Sequence, residues 1–320
     1  MDTRSDDLAR NPIQTARATV DIRARVLVAL LIGLTSGWLS WVAQTAPGVS
    51  RPGGDLLWAL VAATDLRTGS DPYGHPFGPQ WTPYPLPAAL LALPFTFLPF
   101  AVAGGLFFGL SSGVLAFCLT KTNYGRLWIF LATPFLFCLF WAQWTPLIMS
   151  AAFVPVLLPV VLIKPHIALP VALTHLTRTG VYCCVAVALL SVIVYPTWPV
   201  VWFSQLGKFQ RFFPVTVWPV GPLLLLAGLR WRDKDAQLLL LASLLPERHF
   251  YDSFLLWLIP KTWKEALPTA LFSVGAWIWK TRHPQMESPE IGLVSVLFFF
   301  LPMLAIVLLR RPTTDKQTPP

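Results

Sequence analysis

The chain has 320 residues, of which 55% are hydrophobic and 12% are charged, and its formal net charge is +9. A soluble domain carries about twice that share of charged residues, so the composition excludes an ordinary soluble globular protein. Apolar runs of membrane-spanning length recur from Val26 onward. They indicate an all-α polytopic membrane protein, because backbone exposed to lipid must hydrogen-bond to itself.

The basic residues are spread through short loops and both tails. This distribution favours topology signals and attraction to anionic lipid over nucleic-acid binding. The cysteines lie in apolar runs without CxxC spacing, so we interpret them as buried thiols: Cys118, Cys138, Cys183 and Cys184. We expect no cofactor and no protein-built metal site, because the sequence has no HExxH, CxxC or paired-carboxylate motif. The lack of a GxGxxG or Walker A loop argues against direct nucleotide chemistry.

The first part of the chain predicts a tail, a span and a long outer loop. Residues 1–25 are polar and carry five arginines, which places them in the cytoplasm. The apolar run 26–46 is too long for a signal-peptide core and predicts an uncleaved first span. Residues 47–84 then form the longest non-membrane segment, on the outer face. Within it, residues 55–67 predict a short helix on the membrane surface that Asp55 begins and Gly69 ends.

Eleven further apolar stretches are candidate spans, several of them shorter than the roughly 20 residues that cross a bilayer. They are 86–99, 101–120, 127–141, 146–163, 165–177, 181–196, 214–229, 236–246, 253–260, 266–279 and 289–309. The aromatic and basic stretch 198–212 predicts an interfacial helix, and 310–320 predicts a cytoplasmic tail. We therefore expect one transmembrane domain over 26–309 with about 10–12 helices. Alternating spans put Lys164 and the 247–252 cluster outside, but also Lys121 and Arg126, against the positive-inside tendency.

Several polar residues near the predicted membrane edge each allow two interpretations. Asp55 opens an apolar helix after two glycines, so it is an N-cap, a general base that takes a proton from an acceptor hydroxyl, or both, because a cap position holds a carboxylate in place. Lys164 precedes Pro165 at a predicted helix start. It either snorkels to the interface or joins the open helix N–H groups in a phosphate contact. Lys208 and Arg211 contact either a lipid phosphate or the headgroups in general.

The densest polar cluster between spans contains Arg248, His249, Tyr251 and Asp252. Arginine suits a phosphate and histidine can move protons, so this cluster is either a binding site or an ordinary solvated loop. Three aromatic residues of the outer loop either stack on a sugar or belong to the aromatic belt: Tyr73, Trp81 and Tyr84.

The order of these residues along the chain forms a series. Asp55, after the first span, precedes Gly69-Ser70-Asp71-Pro72-Tyr73 and then Tyr84-Pro85-Leu86-Pro87, which continues into Ala88–Pro94 and Leu98-Pro99. Gln143, Lys164-Pro165 and the loop His249–Leu255 follow. Over about residues 50–260 the chain resembles membrane glycosyltransferases of the GT-C superfold, in particular glycosyltransferase family 87, whose members use polyprenyl-phosphate mannose. It departs from that family in its shorter length and in having Tyr-Pro-Leu-Pro where the family has Tyr-Pro-Pro.

The resemblance implies a GT-C-like bundle and an inverting enzyme. Such an enzyme moves a hexose from a polyprenyl-phosphate donor to a lipid or glycan acceptor, and the family indicates that the hexose is mannose. Asp55 would activate the acceptor hydroxyl, and His249 would assist proton transfer or bind phosphate. Four cations would hold the donor phosphate: Lys164, Arg248, Arg211 and Lys208. Four further residues would bind substrate: Asp71, Tyr73, Tyr84 and Asp252. The expected location is a bacterial plasma (inner) membrane, with both termini in the cytoplasm and the site outside.

Two other functions stay open on the sequence. A transporter or flippase of lipid-linked sugars would also need an intramembrane lysine and basic interfacial helices, but it predicts cytoplasmic-side binding residues and internal repeats, and the sequence shows neither. A non-catalytic scaffold subunit of an envelope assembly fits the short length, and it predicts that Asp55 can be replaced without loss.

Overall fold

The structure is a computed structural model that describes residues 21–49, 52–75, 84–204 and 211–310. Within these ranges the chain is helical and has no β-strand, apart from one isolated bridge between Phe212 and Glu247. The prediction of an all-α protein is confirmed for this part of the chain. The α-helices are α1 (Ile22–Thr45), α2 (Leu57–Thr68), α3 (Pro87–Ala92), α4 (Phe100–Leu119), α5 (Thr133–Phe140), α6 (Thr145–Ser150), α7 (Pro165–Thr174), α8 (Arg178–Val194), α9 (Trp198–Phe203), α10 (Lys234–Leu244), α11 (Trp263–Arg282), α12 (Ser288–Ser295) and α13 (Leu301–Leu309).

Much of the remaining described chain forms 3-10 helix. These segments are Gly54–Leu56, Leu93–Phe95, Tyr124–Leu131, Pro155–Leu162, Pro214–Thr216, Gly221–Arg230 and Asp252–Leu258, and a π-helical turn, Val296–Phe300, joins α12 to α13. Proline contributes to this pattern, because it lacks the N–H that continues an α-helix. Four predicted spans, 127–141, 146–163, 214–229 and 253–260, are therefore short α-helical or 3-10 pieces instead of continuous α-helices.

Three described helical segments are long and apolar enough to cross a membrane: Ile22–Thr45, Phe100–Leu119 and Ser288–Leu309. They correspond to the predicted spans 26–46, 101–120 and 289–309, except that α1 takes in residues 22–25, which the sequence assigned to the tail. α8 is also apolar and largely exposed, with Ile193 76% accessible. These exposed apolar faces suit a protein surrounded by lipid.

The predicted span over 86–99 is wrong. α3 covers six residues and the 3-10 turn after it only three, so α4 is the next long helix after α1. The guanidinium of Arg25 donates to the Phe117 carbonyl oxygen at 2.8 Å, which shows that α4 ends where α1 begins. Lys121 and Arg126 follow α4 directly and therefore lie at that same end of the molecule. Their predicted placement on the face opposite the start of the first span is corrected accordingly.

α1 and α4 approach each other through glycines. Gly33 and Gly37 of α1 face Gly105 and Gly109 of α4, and a Cβ built on Gly109 would lie 2.7 Å from the Gly33 carbonyl oxygen. Small residues four positions apart allow two membrane helices to pack backbone against backbone. This contact fixes the first span against the rest of the bundle.

The predicted helix within residues 55–67 exists as α2, and it ends as expected at Gly69, whose φ of 76° is left-handed. Its position differs from the prediction. Trp58, Ala59 and Leu60 are 0–4% exposed, so α2 is enclosed by protein and does not lie on a membrane surface. Its apolar residues serve the core.

Two further predicted segments, 198–212 and 310–320, also differ from expectation. α9 covers only residues 198–203 of the predicted interfacial helix, and residues 205–210 lie outside the described part. Arg310 does not begin a free tail, because it pairs with Asp235 at 2.6 Å and with Glu265 at 3.1 Å and so fastens α13 to α10 and α11. Residues 1–20 and 311–320 lie outside the described residues. Of the four thiols, Cys118 and Cys138 are buried as predicted, and Cys183 and Cys184 are half-buried on α8.

Candidate functional site

The backbone around Asp55 is fixed by two glycines. Gly53 and Gly54 have φ of 96° and 55°, a region that L side chains rarely adopt. A Cβ on Gly54 would collide with the Trp141 carbonyl group. This close approach lets the Asp55 N–H donate to the Trp141 carbonyl oxygen at 2.7 Å, and the Gly53 N–H donates to Gln44 Oε1 at 2.7 Å. The position of Asp55 is therefore set from α1 and from the end of α5.

The side chain of Asp55 is not an N-cap, so that interpretation is wrong. Neither the Gly54–Leu56 turn nor α2 is capped by a side chain. The carboxylate oxygen Oδ2 instead accepts a hydrogen bond from the Tyr84 hydroxyl and lies 3.0 Å from Lys164 Nζ. A quarter of the Asp55 side chain stays exposed. It is thus a positioned carboxylate that keeps partial access to solvent.

Lys164 is the centre of the site. Its Nζ is 3.0 Å from Asp55 Oδ2, 2.8 Å from Gln143 Oε1 and 3.4 Å from Asp252 Oδ1, and its side chain is only 2% exposed. It stands directly before Pro165 at the start of α7, as predicted. A buried lysine with two carboxylates and an amide oxygen is paired and does not snorkel, so the snorkelling interpretation is wrong. Its three donors face three acceptors that come from three separate segments.

Aromatic rings build the wall beside this lysine. The Tyr73 hydroxyl donates to the Tyr84 carbonyl oxygen at 2.8 Å, and both rings pack against Trp58 with centroid distances of 5.4 and 6.0 Å. Burial, and next the charge of Asp55, raise the pKa of Tyr84 well above its usual value, which keeps its hydroxyl a hydrogen-bond donor. Tyr73 and Tyr84 are 7% and 5% exposed. The rings therefore stack on protein and do not form part of a lipid-facing belt.

The 247–252 cluster is folded into the protein, so its interpretation as a solvated loop is wrong. Asp252 is fully buried and Glu247 is 2% exposed. The Arg248 N–H donates to Asp252 Oδ2 at 2.9 Å. Burial alone would raise the pKa of Asp252, but Lys164, then His166 and the Arg248 N–H, hold it below its usual value. Asp252 is therefore a stable carboxylate that counters the charge of Lys164.

Arg248 supplies a second positive charge to the same region. Its burial alone would lower the pKa, but the surrounding Tyr251, Tyr84 and the two carboxylates raise it. The isolated bridge joins the Phe212 N–H to the Glu247 carbonyl oxygen at 3.0 Å, which brings the exposed Arg211 beside this loop. Lys208 and Trp81 lie outside the described residues.

His249 belongs to the 247–252 cluster and is surrounded by aromatic rings. Its ring stacks on Tyr251, with centroids 5.2 Å apart, and also contacts Phe137 and Phe250. Burial lowers the pKa of His249 to about 4, with Asp252 opposing the shift, so the imidazole is neutral near pH 7. Its Nδ1 is buried and has no hydrogen-bond partner among the described residues.

Asp71 lies away from the lysine centre. Its Oδ1 accepts the Tyr195 hydroxyl at 2.7 Å and the Tyr73 N–H at 2.9 Å. It therefore ties the outer loop to the segment that follows α8. Of the predicted site residues, the structure brings Asp55, Tyr84, Lys164 and Asp252 into direct contact and Arg248 into contact with Asp252.

Two buried groups near this centre were not singled out from the sequence. His166 is the second residue of α7, two positions after Lys164, and has a buried Nε2 without a partner in the described part of the chain. Glu247 accepts the Ser253 hydroxyl at 2.7 Å, and burial raises its pKa well above the usual value, which favours its protonated form. The Lys-Pro-His run held a signal for His166. Nothing in the local sequence marks Glu247 as buried.

No family model, curated protein or solved structure matches this chain. Within the described ranges, no three or more His, Cys, Asp or Glu side chains are grouped to hold a metal ion. The site is therefore interpreted from its own chemistry. Asp55 is a fixed, partly exposed carboxylate of the kind that acts as a base, and the Lys164 ammonium lies next to it. Tyr84 and His249 add a hydroxyl and an imidazole that stay neutral near pH 7.

Proposed function

We propose that the chain is a membrane glycosyltransferase that moves a hexose, in the first instance mannose, from a polyprenyl-phosphate donor to a lipid or glycan acceptor at the outer face of the membrane. Within this proposal the fold is a GT-C-like bundle of about 10–12 transmembrane helices, with α9 as an interfacial helix. Both termini lie in the cytoplasm of a bacterial cell, and the Asp55 end of the bundle faces outward.

The convergence of four residues at one point carries the proposal. Asp55, Tyr84, Gln143 and Lys164 were selected by their order along the chain, and they span 109 residues between the first and the last. In the folded protein they are linked through the Lys164 ammonium and the Asp55 carboxylate. If the order of these four residues reflected only a hydrophobic pattern, their polar side chains would have no reason to lie together. A shared chemical site explains why they do.

In the proposed reaction, Asp55 takes the proton of the acceptor hydroxyl as that oxygen attacks the anomeric carbon. The bond from this carbon to the phosphate oxygen breaks, and polyprenyl phosphate leaves with the electron pair. Because attack and departure occur on opposite faces, the anomeric centre inverts. The phosphate is a good leaving group and needs no strong general acid, so one carboxylate base is enough. Positioning a base in this way typically contributes about 100- to 10,000-fold in rate.

Lys164 and Arg248 have different roles in this proposal. The donors of Lys164 are engaged by Asp55, Gln143 and Asp252, so its first role in the proposal is to keep Asp55 ionised and in place. It reaches the donor phosphate only by releasing one of these partners. Arg248 is proposed as a second phosphate ligand, and Arg211 adds charge from the segment that bridges to the 247–252 loop. Lys208 is retained as a phosphate contact on the basis of its place in the sequence. His249 contributes a neutral imidazole, and Asp71, Tyr73 and Asp252 shape the substrate side.

The test is transfer of labelled mannose from polyprenyl-phosphate mannose in proteoliposomes that contain membrane lipid extract. We expect wild type to form a labelled product and Asp55→Asn to lose at least about 100-fold in rate. Asp65→Asn is the matched control, because Asp65 lies on the next helix, α2, and pairs with His75 at 2.8 Å instead of Lys164. This control should keep wild-type activity.

Each alternative function predicts a different result. Equal transfer by wild type and Asp55→Asn would remove Asp55 from the mechanism. Movement of the labelled donor across the bilayer without transfer would favour the transporter. Absence of both transfer and movement, across several donor sugars and acceptor extracts, would favour the scaffold subunit.

A further inference from the structure

An apolar groove follows the line where α1 and α4 meet on the outside of the bundle. Its cavity volume is about 790 Å³, within the range of pockets that hold small ligands. The floor contains Gly33, Gly37 and Gly109, and the walls include Leu30 and Leu110. The glycines lower the floor and leave the larger side chains standing on both sides, so the surface is concave.

This groove is separate from the Asp55 site. On the inner face of α4, Phe107 contacts Trp144 with ring centroids 4.6 Å apart, and Trp144 contacts Tyr84 of the site. The groove is lined by a different face of the same helix, including Gly109 and Gly113. None of the residues that line the groove belongs to the lysine centre.

Positive charge lies at one end of the groove. The Arg25 guanidinium is 4.2 Å from the centroid of the groove-lining Phe117 ring, and its Nε is buried without a partner in the described chain. The exposed Lys121 follows the end of α4, and its N–H donates to the carbonyl oxygen of the groove-lining Cys118 at 3.3 Å. The acid nearest along the chain, Asp21, accepts the N–H of Arg23 at the start of α1.

We propose that this groove binds one anionic phospholipid, with an acyl chain along the glycine floor and the phosphate at Arg25 and Lys121. The lining runs from Val26 to Trp41 along α1, roughly 22 Å at 1.5 Å per residue. One leaflet of the hydrocarbon core is about 15 Å deep, so the groove is long enough for the chain of a lipid in a single leaflet. The apolar groove can hold the acyl chain of any phospholipid, and the two cations, Arg25 and Lys121, favour a negatively charged headgroup. This inference does not depend on the proposed glycosyl transfer.

The first measurement compares two lipids with identical acyl chains, phosphatidylglycerol and phosphatidylcholine, added to the full-length protein in detergent. Native mass spectrometry counts the bound lipid, and thermal unfolding reports stabilisation. We expect one phosphatidylglycerol to bind more tightly than phosphatidylcholine and to raise the unfolding temperature more, with the difference shrinking at high salt. Inorganic phosphate alone should have no effect, because it lacks the chain that fills the groove.

Substitutions separate the headgroup contact from the groove. Lys121→Gln should reduce the preference for phosphatidylglycerol about fivefold, and Arg25→Gln by at least as much. Arg67→Gln is the control for charge, since Arg67 also stacks on a phenylalanine, Phe97 at 4.7 Å, but on α2. It should leave the preference unchanged. Lys121 is exposed, so Lys121→Gln should fold normally. It therefore tests the headgroup contact even if the Arg25 variant fails to fold.

A second pair of variants tests the groove itself. Leu30→Trp fills it, whereas Leu27→Trp places the same ring on α1 outside the lining, at a position of similar exposure, 59% against 56%. We expect Leu30→Trp to lower binding of both lipids and Leu27→Trp to leave it intact. Equal binding of the two lipids by wild type, or equal effects of the two tryptophan variants, would overturn the proposal.

Discussion

Replacing Lys164 by methionine tests whether the lysine centre is a balanced charge cluster. Lys164 is 2% exposed and Asp252 is fully buried. The methionine side chain has similar length but no charge, so Asp252 would keep its negative charge in the interior without its contacting cation. Asp55 would lose the same partner, but its exposed quarter keeps it partly hydrated. The main cost should therefore come from Asp252.

The expected magnitude follows from this difference in burial. Breaking a buried pair by removing one partner costs about 3–5 kcal/mol, and we expect Lys164→Met to fall in this range. Asp252→Asn should cost less, about 1–3 kcal/mol, because Lys164 keeps Asp55 and Gln143 as acceptors. The double variant leaves no buried charge unpaired at this contact. Its cost should therefore be smaller than the sum of the single costs by at least about 1 kcal/mol.

The assay is reversible unfolding in mixed detergent micelles, followed by far-ultraviolet circular dichroism, for wild type and the three variants. Asp55→Asn serves as a comparison, because it removes a partly exposed carboxylate from the same lysine. The reasoning would be refuted if Lys164→Met cost less than about 1 kcal/mol, or if the two single costs added within about 0.5 kcal/mol.

Two further predictions follow from the packing of α1 and from burial in the polar cluster. Gly109→Ala should destabilise the protein by about 1–3 kcal/mol, because its Cβ would lie 2.7 Å from the Gly33 carbonyl oxygen. Gly228→Ala, with no heavy atom within 4 Å of the added carbon, should not destabilise it in the same unfolding assay, and equal losses would contradict the packing argument. The folded pKa of His249 is about 4 against an ordinary 6.5, so the unfolded chain binds more protons between these values and stability falls as pH drops from 6.5 to 4. His249→Gln should abolish roughly 3 kcal/mol of that loss, and an unchanged pH dependence of unfolding between pH 7 and 4 would show the histidine to be irrelevant to it.

Sequence periodicity and composition were sufficient for the elements that are long and unbroken. α1, α4 and the α12–α13 segment follow from apolar runs near the length of a bilayer, and Gly69 marks the end of α2 because its left-handed backbone suits glycine. The predicted span at 86–99 failed because hydropathy alone does not distinguish a membrane crossing from a short helix packed inside protein. Pro94 and Pro99 interrupt that run and were the available signal.

The proximity of some polar residues could be predicted from their order along the chain, but their bonding could not. The order of Asp55, Tyr84 and Lys164 selected residues that do meet. That Lys164 faces two carboxylates, and not a free anion site, depends on the long-range placement of Asp252, 88 residues further along the chain. Glu247 gave no local signal, and its backbone pairs with Phe212, which is distant from it in the sequence. Such contacts belong to tertiary structure and leave no periodic trace.

The glycine contact between α1 and α4 also has a consequence for synthesis of the protein. Gly33 and Gly109 are 76 positions apart (109 − 33). At roughly 5–20 residues per second, the ribosome needs about 4–15 s to make the chain between them. During that interval the first helix has left the ribosome without the partner that covers its glycine face. Another helix with a small-residue face can then pair with it, and the arrival of α4 ends that competition.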